Sequence, residues 1–533
     1  MEAATEGATL SRRPEPPEVG AGPNATGGGR ARVLAPLMDI AAVTIAGALV
    51  RLGALLTTGF VLHDGGMFVV MIRDIRAAGM GLPATTSYNG GGLPFDYPPL
   101  ALWLAALVPA DPLTIVRYAG PLAALLTVPL VYLIALELLP GRQYAYVAAL
   151  LYALVPRGWD ILVSGGGLTR ASGLLLALVG IWLALRLYRT RRMRYAVGGA
   201  IFGGMAALTH PEATVFFLLA LGLLAAVSVR DRQMLLATTG ILAGMGVVVL
   251  PWLLILTMHG HLLDLVQAGS QGVNPLGSIA AAFMWQFVDE AYAPAVLALG
   301  LIGSLALVQR RSFLIVLWLA LEAGLALRGA PTYATIPLVL AGSVGLYDAI
   351  GQGILQIPRP DVFRSNAVRV ILLAVLSWSV FNDIGLVFQG DAPFDSLTSS
   401  AVSTMTWMKA NTPVDARVAV VSGAAWPNDV QGEWLPALAD RVSVATVQGR
   451  EWLDRSVWGQ SMQTYRDLQD CVHVDARCLV DWVTAHPEAR TGYVYVVDGL
   501  ESHALVLDVV ASPLVQVVHR GDDGVVARIL AAP

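Results

Sequence analysis

The chain has 533 residues, of which 56% are hydrophobic and only 14% charged, against roughly 25% charged in an ordinary soluble domain. Repeated apolar runs near the ~20 residues that cross a bilayer core exclude a soluble globular protein and imply a polytopic α-helical membrane protein. The formal net charge of −4 conceals a split: from Asp391 onward 18 acids face 10 bases, a balance of −8 that leaves +4 for the rest. An acidic soluble tail therefore follows a membrane body, and the balance argues against a nucleic-acid partner.

Residues 1–33, rich in Gly, Pro, Ala and Glu and without aromatics, read as a disordered cytoplasmic tail. Arg30 and Arg32 precede the first apolar run, 35–60, and the positive-inside bias puts them in the cytoplasm and residues 61–112 outside. Setting Arg142, "RTRRMR" (189–194), Arg230, Arg232, Arg310, Arg311, Arg359 and Arg364 on the same inner side gives further spans. They fall near 113–139, 144–158, 161–187, 196–210, 211–229, 234–257, 293–308, 312–328, 331–351 and 367–389. That makes eleven spans in a membrane domain covering 34–389, with 390–533 as an extracytoplasmic α/β domain.

The first outer loop opens on "HDGGMF" (63–68), with His63 and Asp64 at the mouth of a span. "FVVMIRDIRAAGM" (68–80) reads as an interfacial amphipathic helix. "SYNGGGLPFD" (87–96) is rich in glycine, but no strand precedes it and no GK[ST] follows, so the phosphate-cradle reading is weak. "YPPLALWLAALVPA" (97–110) is too short to cross comfortably and is bounded by prolines. It is expected to lie at the outer surface or dip into it. A second outer loop, 258–292, carries His259, His261, Asp264, Asp289 and Glu290.

The tail alternates strand-like and helix-like segments. Strands are expected at 416–423, 441–447, 492–499, 514–520 and 524–530, with helices at 399–412 and 477–486. Its Cys471 and Cys478 are the only two cysteines, and closing so short a loop suits an oxidising compartment. Two unrelated thiols are the alternative. "GEWLPALADR" (432–441) and "VQGREWL" (447–453) each pair a glutamate with a tryptophan. Trp434 and Trp452 either stack on a sugar or anchor the tail to the membrane body.

Ionisable groups at membrane depth are functional candidates. Asp64 heads them; its plain alternative is a solvated loop acid. Asp96 stands before "YPPL", where it could instead cap a helix. "SGGGLTR" (164–170) opens a span with glycines that permit close backbone approach and with Arg170, unless that arginine only snorkels. "THPE" (209–212) joins two short spans, so His210 and Glu212 should sit recessed in a cavity. Arg328, in "LRGAPTY" (327–333), ends a span on the outer side. Lys409 is the only lysine, so an anion at the membrane site must be met by arginine, whose fork matches phosphate.

In this order the elements resemble the GT-C superfamily of integral-membrane glycosyltransferases, nearest its branch of protein O-mannosyltransferases and aminoarabinose transferases. The resemblance rests on Asp64 in the first outer loop, the amphipathic segment, "YPPL" (97–100), "VRYAGPL" (116–122), "RGAPTYATIPL" (328–338) and the extracytoplasmic tail, over about 30–390. It implies a polyprenyl-phosphate-linked sugar donor and an acceptor that is a protein, a lipid or a glycan, within the plasma membrane of a cell envelope. It implies inversion at the sugar carbon, with Asp64 as general base aided by Asp96. His63, Tyr97, Arg170, His210, Glu212, Arg328 and Tyr333 would bind substrate, with the arginines on the phosphate. A carboxylate in a partly dry cavity is expected to have a raised pKa. No metal-ligand motif is present, and the resemblance leaves a divalent metal ion open as a cofactor, used by some members and not by others. The alternative function is a transporter or flippase of a lipid-linked or anionic substrate, which should show paired interrupted helices in two related halves.

Overall fold

A computed structural model describes residues 28–57, 62–155, 158–260, 262, 294–324, 330–351, 370, 374 and 397–530. Arg328 and Arg359, Arg364, His261, Asp264, Asp289 and Glu290 fall outside them, as does the eleventh expected span apart from Val370 and Ala374.

Five described helices are long and apolar enough to cross a membrane. They lie in α1 (Gly28–Thr57), α4 (Pro112–Leu138), α7 (Gly167–Thr190), α9 (Pro211–Ser228) and α10 (Arg232–His259). Between them stand the 12-residue α2 (Gly66–Ala77), a two-residue hairpin β1 (Thr85–Thr86) and β2 (Leu93–Pro94), and the eight-residue α3 (Leu100–Leu107). Shorter apolar helices complete the bundle: α5 (Arg142–Leu154), α8 (Arg194–Ala207), α11 (Pro294–Gln309), α12 (Leu314–Gly324) and α13 (Ala330–Val344). A one-turn α6 (Asp160–Val163) precedes α7.

Helices thus occupy the first ten segments read as spans, but not all at span length. Helices α5 and α8 have 13 and 14 residues, a rise of about 20 Å against a hydrocarbon core of ~30 Å. The segments read as spans there, 144–158 and 196–210, are themselves only 15 residues long, and Pro156-Arg157 and Thr209-His210 follow the points where Val155 and Leu208 end these helices. Helix α1 starts at Gly28, inside the stretch read as disordered; from Arg30 the residues are good helix formers. Helix α3 rises only about 12 Å, in keeping with a segment that does not cross.

The arginine clusters gather at one end of the bundle as ion pairs. Arg142 meets Asp39, Arg186 and Arg189 meet Glu137, Arg191 meets Asp231, and Arg310 meets Asp348. Arg189 and Arg170 are 19 residues apart on α7, about 28 Å, so the first outer loop lies at the opposite end.

The C-terminal part begins with α14 (Ser399–Asn411) and forms a five-stranded sheet in the order β4-β3-β5-β7-β6. Strands β3 (Arg417–Val421), β4 (Val442–Ser443) and β5 (Tyr493–Val497) are parallel; β7 (Gly524–Ile529) runs antiparallel to β5 and to β6 (Val515–Gly521). The apolar runs "VAVV" and "VYVV" are buried on both faces, as central strands covered by helices require. Strands therefore form inside all five expected segments, although 441–447 keeps only two strand residues. Helices α15 (Val430–Leu438), α16 (Arg455–Gln469) and α18 (His503–Ala511) join the expected α17 (Ala476–Ala485). A Cys471–Cys478 disulfide ties the end of α16 to α17.

One apolar cluster joins this sheet to the first outer loop. Met67, Phe68 and Ile72 of α2 and Leu102 of α3 pack with Trp434 and Leu435 of α15 and with Val418 and Tyr495 of the sheet. Helix α2 is therefore not an interfacial helix with its apolar face in lipid. Its pattern is amphipathic, but the apolar side meets protein, and Arg73 donates to the Ala437 carbonyl at 3.1 Å. Asn89 of the glycine-rich loop makes two backbone bonds to Ser443 of β4, donating at 2.9 Å and accepting at 2.7 Å.

Candidate active site

Leu62 is fully buried, and half-buried His63 and Asp64 follow it before the chain turns into α2 at Gly65. Gly65 has φ 110°, a conformation that a side chain disfavours, and a Cβ there would also meet the Gly165 backbone at 2.8 Å. Across from it lies "SGGG" (164–167), at the head of α7. A Cβ on Gly166 would collide with both the Asp64 carboxylate and the Arg170 guanidinium. The glycines thus let two loops 102 residues apart touch: Asp64 Oδ1 accepts the Gly166 N–H at 2.6 Å, and Oδ2 pairs with Arg170 Nη2 at 2.7 Å. Arg170 Nη1 also donates to Ser164 Oγ at 3.4 Å.

The Asp64 and Arg170 side chains are 17% and 26% exposed, so water screens this pair far less than a surface ion pair. Burial pushes the Asp64 carboxyl up, but the Arg170 charge, His63 and the Gly166 N–H outweigh it and hold the group at about 2. This reverses the expectation of a raised pKa. The partly dry cavity is present, but it contains a cation.

A second group adjoins the first through Thr169. The Tyr97 hydroxyl bonds to Thr169 Oγ1 and to His210 Nδ1, each at 2.9 Å. Burial moves that hydroxyl well above its ordinary range, so it stays protonated. His210 is 7% exposed and stands at the head of α9, where Pro211 takes the first helical position; its Nε2 lies 3.4 Å from Glu212. Thr209 and His210 of the "THPE" tip are therefore recessed inside protein, while Pro211 is exposed and Glu212 half-buried. Tyr333 of α13 is buried against Phe216 with ring centroids 5.1 Å apart, within electrostatic reach of Glu212, Tyr97 and Arg170. Asp96 is 1% exposed beside Tyr97 and does not cap α3, which begins with Pro99 at its cap position and no side-chain cap.

Asp64, Arg170, Tyr97, His210, Glu212 and Tyr333 thus form one connected cluster, flanked by His63 and Asp96. Cys471 and Cys478 lie elsewhere, in the C-terminal part. Three further residues adjoin the site, of which the sequence singles out only Trp452, as a sugar-stacking residue or an anchor. Glu433 of α15 accepts the Gly65 and Gly66 N–H groups on Oε1 at 2.8 and 3.2 Å. Trp452 sets its edge against Tyr97 with centroids 5.8 Å apart. Glu322 of α12, 2% exposed, accepts from Trp318 Nε1 at 3.3 Å and acts electrostatically on Tyr333. A lone acid in "WLALEAG" was a visible signal. Trp434 is fully buried and Trp452 7% exposed, so both are anchors of the C-terminal part and neither offers an open face to a sugar.

A divalent cation needs several oxygen or imidazole ligands about one point. Among the described residues no three His, Cys, Asp or Glu converge in this way. Both Asp64 oxygens already accept from Arg170 and Gly166. These residues do not fit a metal ion.

No family model and no curated protein matches the chain. Solved structures do. The archaeal oligosaccharyltransferase AglB from Archaeoglobus fulgidus, in complex with an inhibitory peptide and a dolichol-phosphate, aligns with a TM-score of 0.61 at 13% identity over 90% of this chain and 71% of its own. ArnT from Cupriavidus metallidurans bound to undecaprenyl phosphate aligns at 0.51, with 13% identity over 95% and 99%. The arabinofuranosyltransferase AftD from Mycobacteria aligns at 0.54, with 16% identity over 92% of this chain and 40% of its own. The chain has the GT-C fold. In that GT-C framework the cluster around Asp64 lies at the bundle end that carries the C-terminal part. One archaeal oligosaccharyltransferase structure holds Zn and sulfate.

Proposed function

We propose that the protein is an integral-membrane glycosyltransferase that moves a sugar from a polyprenyl-phosphate donor to an acceptor at the Asp64–Arg170 end of the bundle. The observation that carries this reading is the half-buried Asp64–Arg170 pair joined through Thr169 to Tyr97, His210 and Glu212, in a chain with the GT-C fold. Solved structures of that fold bind dolichol-phosphate and undecaprenyl phosphate. The positive-inside bias supports a cytoplasmic N-terminus, because the paired arginines sit at the far end. On that orientation residues 34–389 are the membrane domain with eleven spans, and 390–533 an extracytoplasmic domain.

In the proposed reaction an acceptor O–H or N–H attacks the anomeric carbon, the carbon–phosphate-oxygen bond breaks, and the lipid phosphate leaves with the electron pair. The sugar carbon inverts. Arg170, and Arg328 beyond the described residues, would stabilise the charge gathering on the phosphate. Asp64 is ionised at any working pH and ready to accept the proton. While Arg170 holds it, it is a poor base; a donor phosphate that draws the guanidinium away strengthens it at the moment the proton must move. Tyr97 and His210, with Glu212 behind them, would orient substrate hydroxyls.

Purified protein in nanodiscs, incubated with radiolabelled polyprenyl-phosphate sugars and membrane extract as acceptor, should move label into a product, and Asp64→Asn should lower turnover ~10²–10⁴-fold. Transport of the lipid-linked sugar without cleavage, or wild-type turnover in Asp64→Asn, would refute the reading.

A further inference from the structure

Helix α2 follows Asp64 by one residue and has no cap of its own. Gly65, at its cap position, offers no side chain, and the first N–H groups of a helix need acceptors. The acceptor comes from 368 positions away: Glu433 Oε1 takes the Gly65 N–H at 2.8 Å and the Gly66 N–H at 3.2 Å. Burial and then the Asp64 charge push this carboxyl up to about 8, so near neutral pH it is mostly protonated and Oε1 accepts both N–H groups as a carbonyl oxygen.

Three features aim this carboxyl. Tyr88, fully buried, donates its hydroxyl to the Glu433 carbonyl at 2.7 Å. Asp429 caps α15 by accepting the Gly432 N–H at 3.2 Å. A Cβ on Gly66 would meet the Glu433 carbonyl at 2.8 Å, so only glycine lets the two helix starts come this close. At the other end of α15, Arg73 of α2 donates to the Ala437 carbonyl. The two helices are thus tied at both ends, and one tie is the Glu433 carboxyl, raised to about 8 by burial and the Asp64 charge.

We propose that Glu433 is a positioning residue of the transfer site: by holding the Gly65 and Gly66 amides it fixes Asp64 against Gly166 and Arg170. Asp64 is then gripped from two sides, through its carboxylate by α7 and through the peptide that follows it by the C-terminal part. The site is incomplete without α15, which makes the C-terminal part a structural member of the reaction centre. This inference rests on the proposed glycosyltransfer for its kinetic readout only.

The experiment compares Glu433→Gln, whose amide oxygen still accepts both N–H groups, with Glu433→Ala, which removes the acceptor, in the full chain. Hydrogen exchange at Gly65 and Gly66 should speed up at least ~10-fold in Glu433→Ala and stay within a few-fold of wild type in Glu433→Gln, the loss of an acceptor for buried N–H donors carrying that scale. Turnover should follow: kcat falls roughly 10–100-fold in Glu433→Ala with donor KM within ~3-fold, and Glu433→Gln restores most of it. Unchanged exchange in Glu433→Ala would overturn the proposal. So would faster exchange over all of α2 and α15 alike, which would mean general undocking, or an equal kcat loss in both variants. A wild-type protein that transfers no sugar refutes the proposed function instead, and the exchange comparison still decides the clamp.

Discussion

Replacing Arg170 by Gln tests the central pair most directly, because it removes one charge and keeps a side chain of similar reach. In the intact site Asp64 is held at about 2, although burial alone would raise it above the ordinary aspartate range. Without the guanidinium, burial acts against only His63 and the Gly166 N–H. The carboxyl should therefore titrate at about pH 4 or above, a change of roughly 2.7 kcal/mol at about 1.36 kcal/mol per pH unit. The sign is fixed by the direction of the wild-type shift. A depressed carboxyl keeps its charge above the ordinary pKa and loses it only as pH falls through about 2, so the wild-type rate should show no acid limb from Asp64 in the working range. In Arg170→Gln an acid limb should appear at about pH 4 or above. Loss of charged contacts to the donor phosphate, ~1.5–3 kcal/mol, should lower kcat/KM a further ~10–150-fold at pH 7. The assay is kcat/KM against pH with a radiolabelled polyprenyl-phosphate sugar, alongside melting curves. An unchanged acid limb together with unchanged donor affinity would show that Arg170 neither tunes Asp64 nor meets the phosphate.

Gly166→Ala should abolish turnover without altering any charge, since the new methyl would occupy the Asp64–Arg170 contact. Gly222→Ala on α9, where a Cβ meets nothing within 4 Å, should be neutral or slightly stabilising by Tm. Trp434→Ala should cost ~3–5 kcal/mol of fully buried aromatic and lower Tm before any specific acceptor defect appears in kinetics. Treatment with a chelator should leave turnover within ~2-fold of the untreated enzyme, because Asp64 is met by a guanidinium; loss of activity restored by a divalent metal would overturn that assignment.

Residue type and period made much of this molecule legible. The runs "RVAVV" and "YVYVV" named the central strands, and "SGGGLTR" showed that something must approach α7 closely. What approaches was not legible, since no local pattern links residue 64 to residue 166. The amphipathic pattern of 68–80 gave a helix with one apolar face, but periodicity reports that a face is greasy and not whether lipid or protein covers it. For the same reason Glu433 stood out only as a glutamate beside Trp434. The pKa of Asp64 was misjudged in direction because burial is visible in sequence and the partner charge is not.

The bonds from Asn89 to Ser443 have a consequence for any attempt to study the C-terminal part alone. Strand β4 is the last strand on its side of the sheet, and the Asn89 amide supplies both a donor and an acceptor where a further strand would pair. A loop of the membrane body thus serves as edge protection. Cut free of that body, residues 397–530 would present an open strand edge next to the apolar patch around Trp434, the combination that recruits a second copy. Such a fragment should self-associate at concentrations where the whole protein stays monodisperse in detergent.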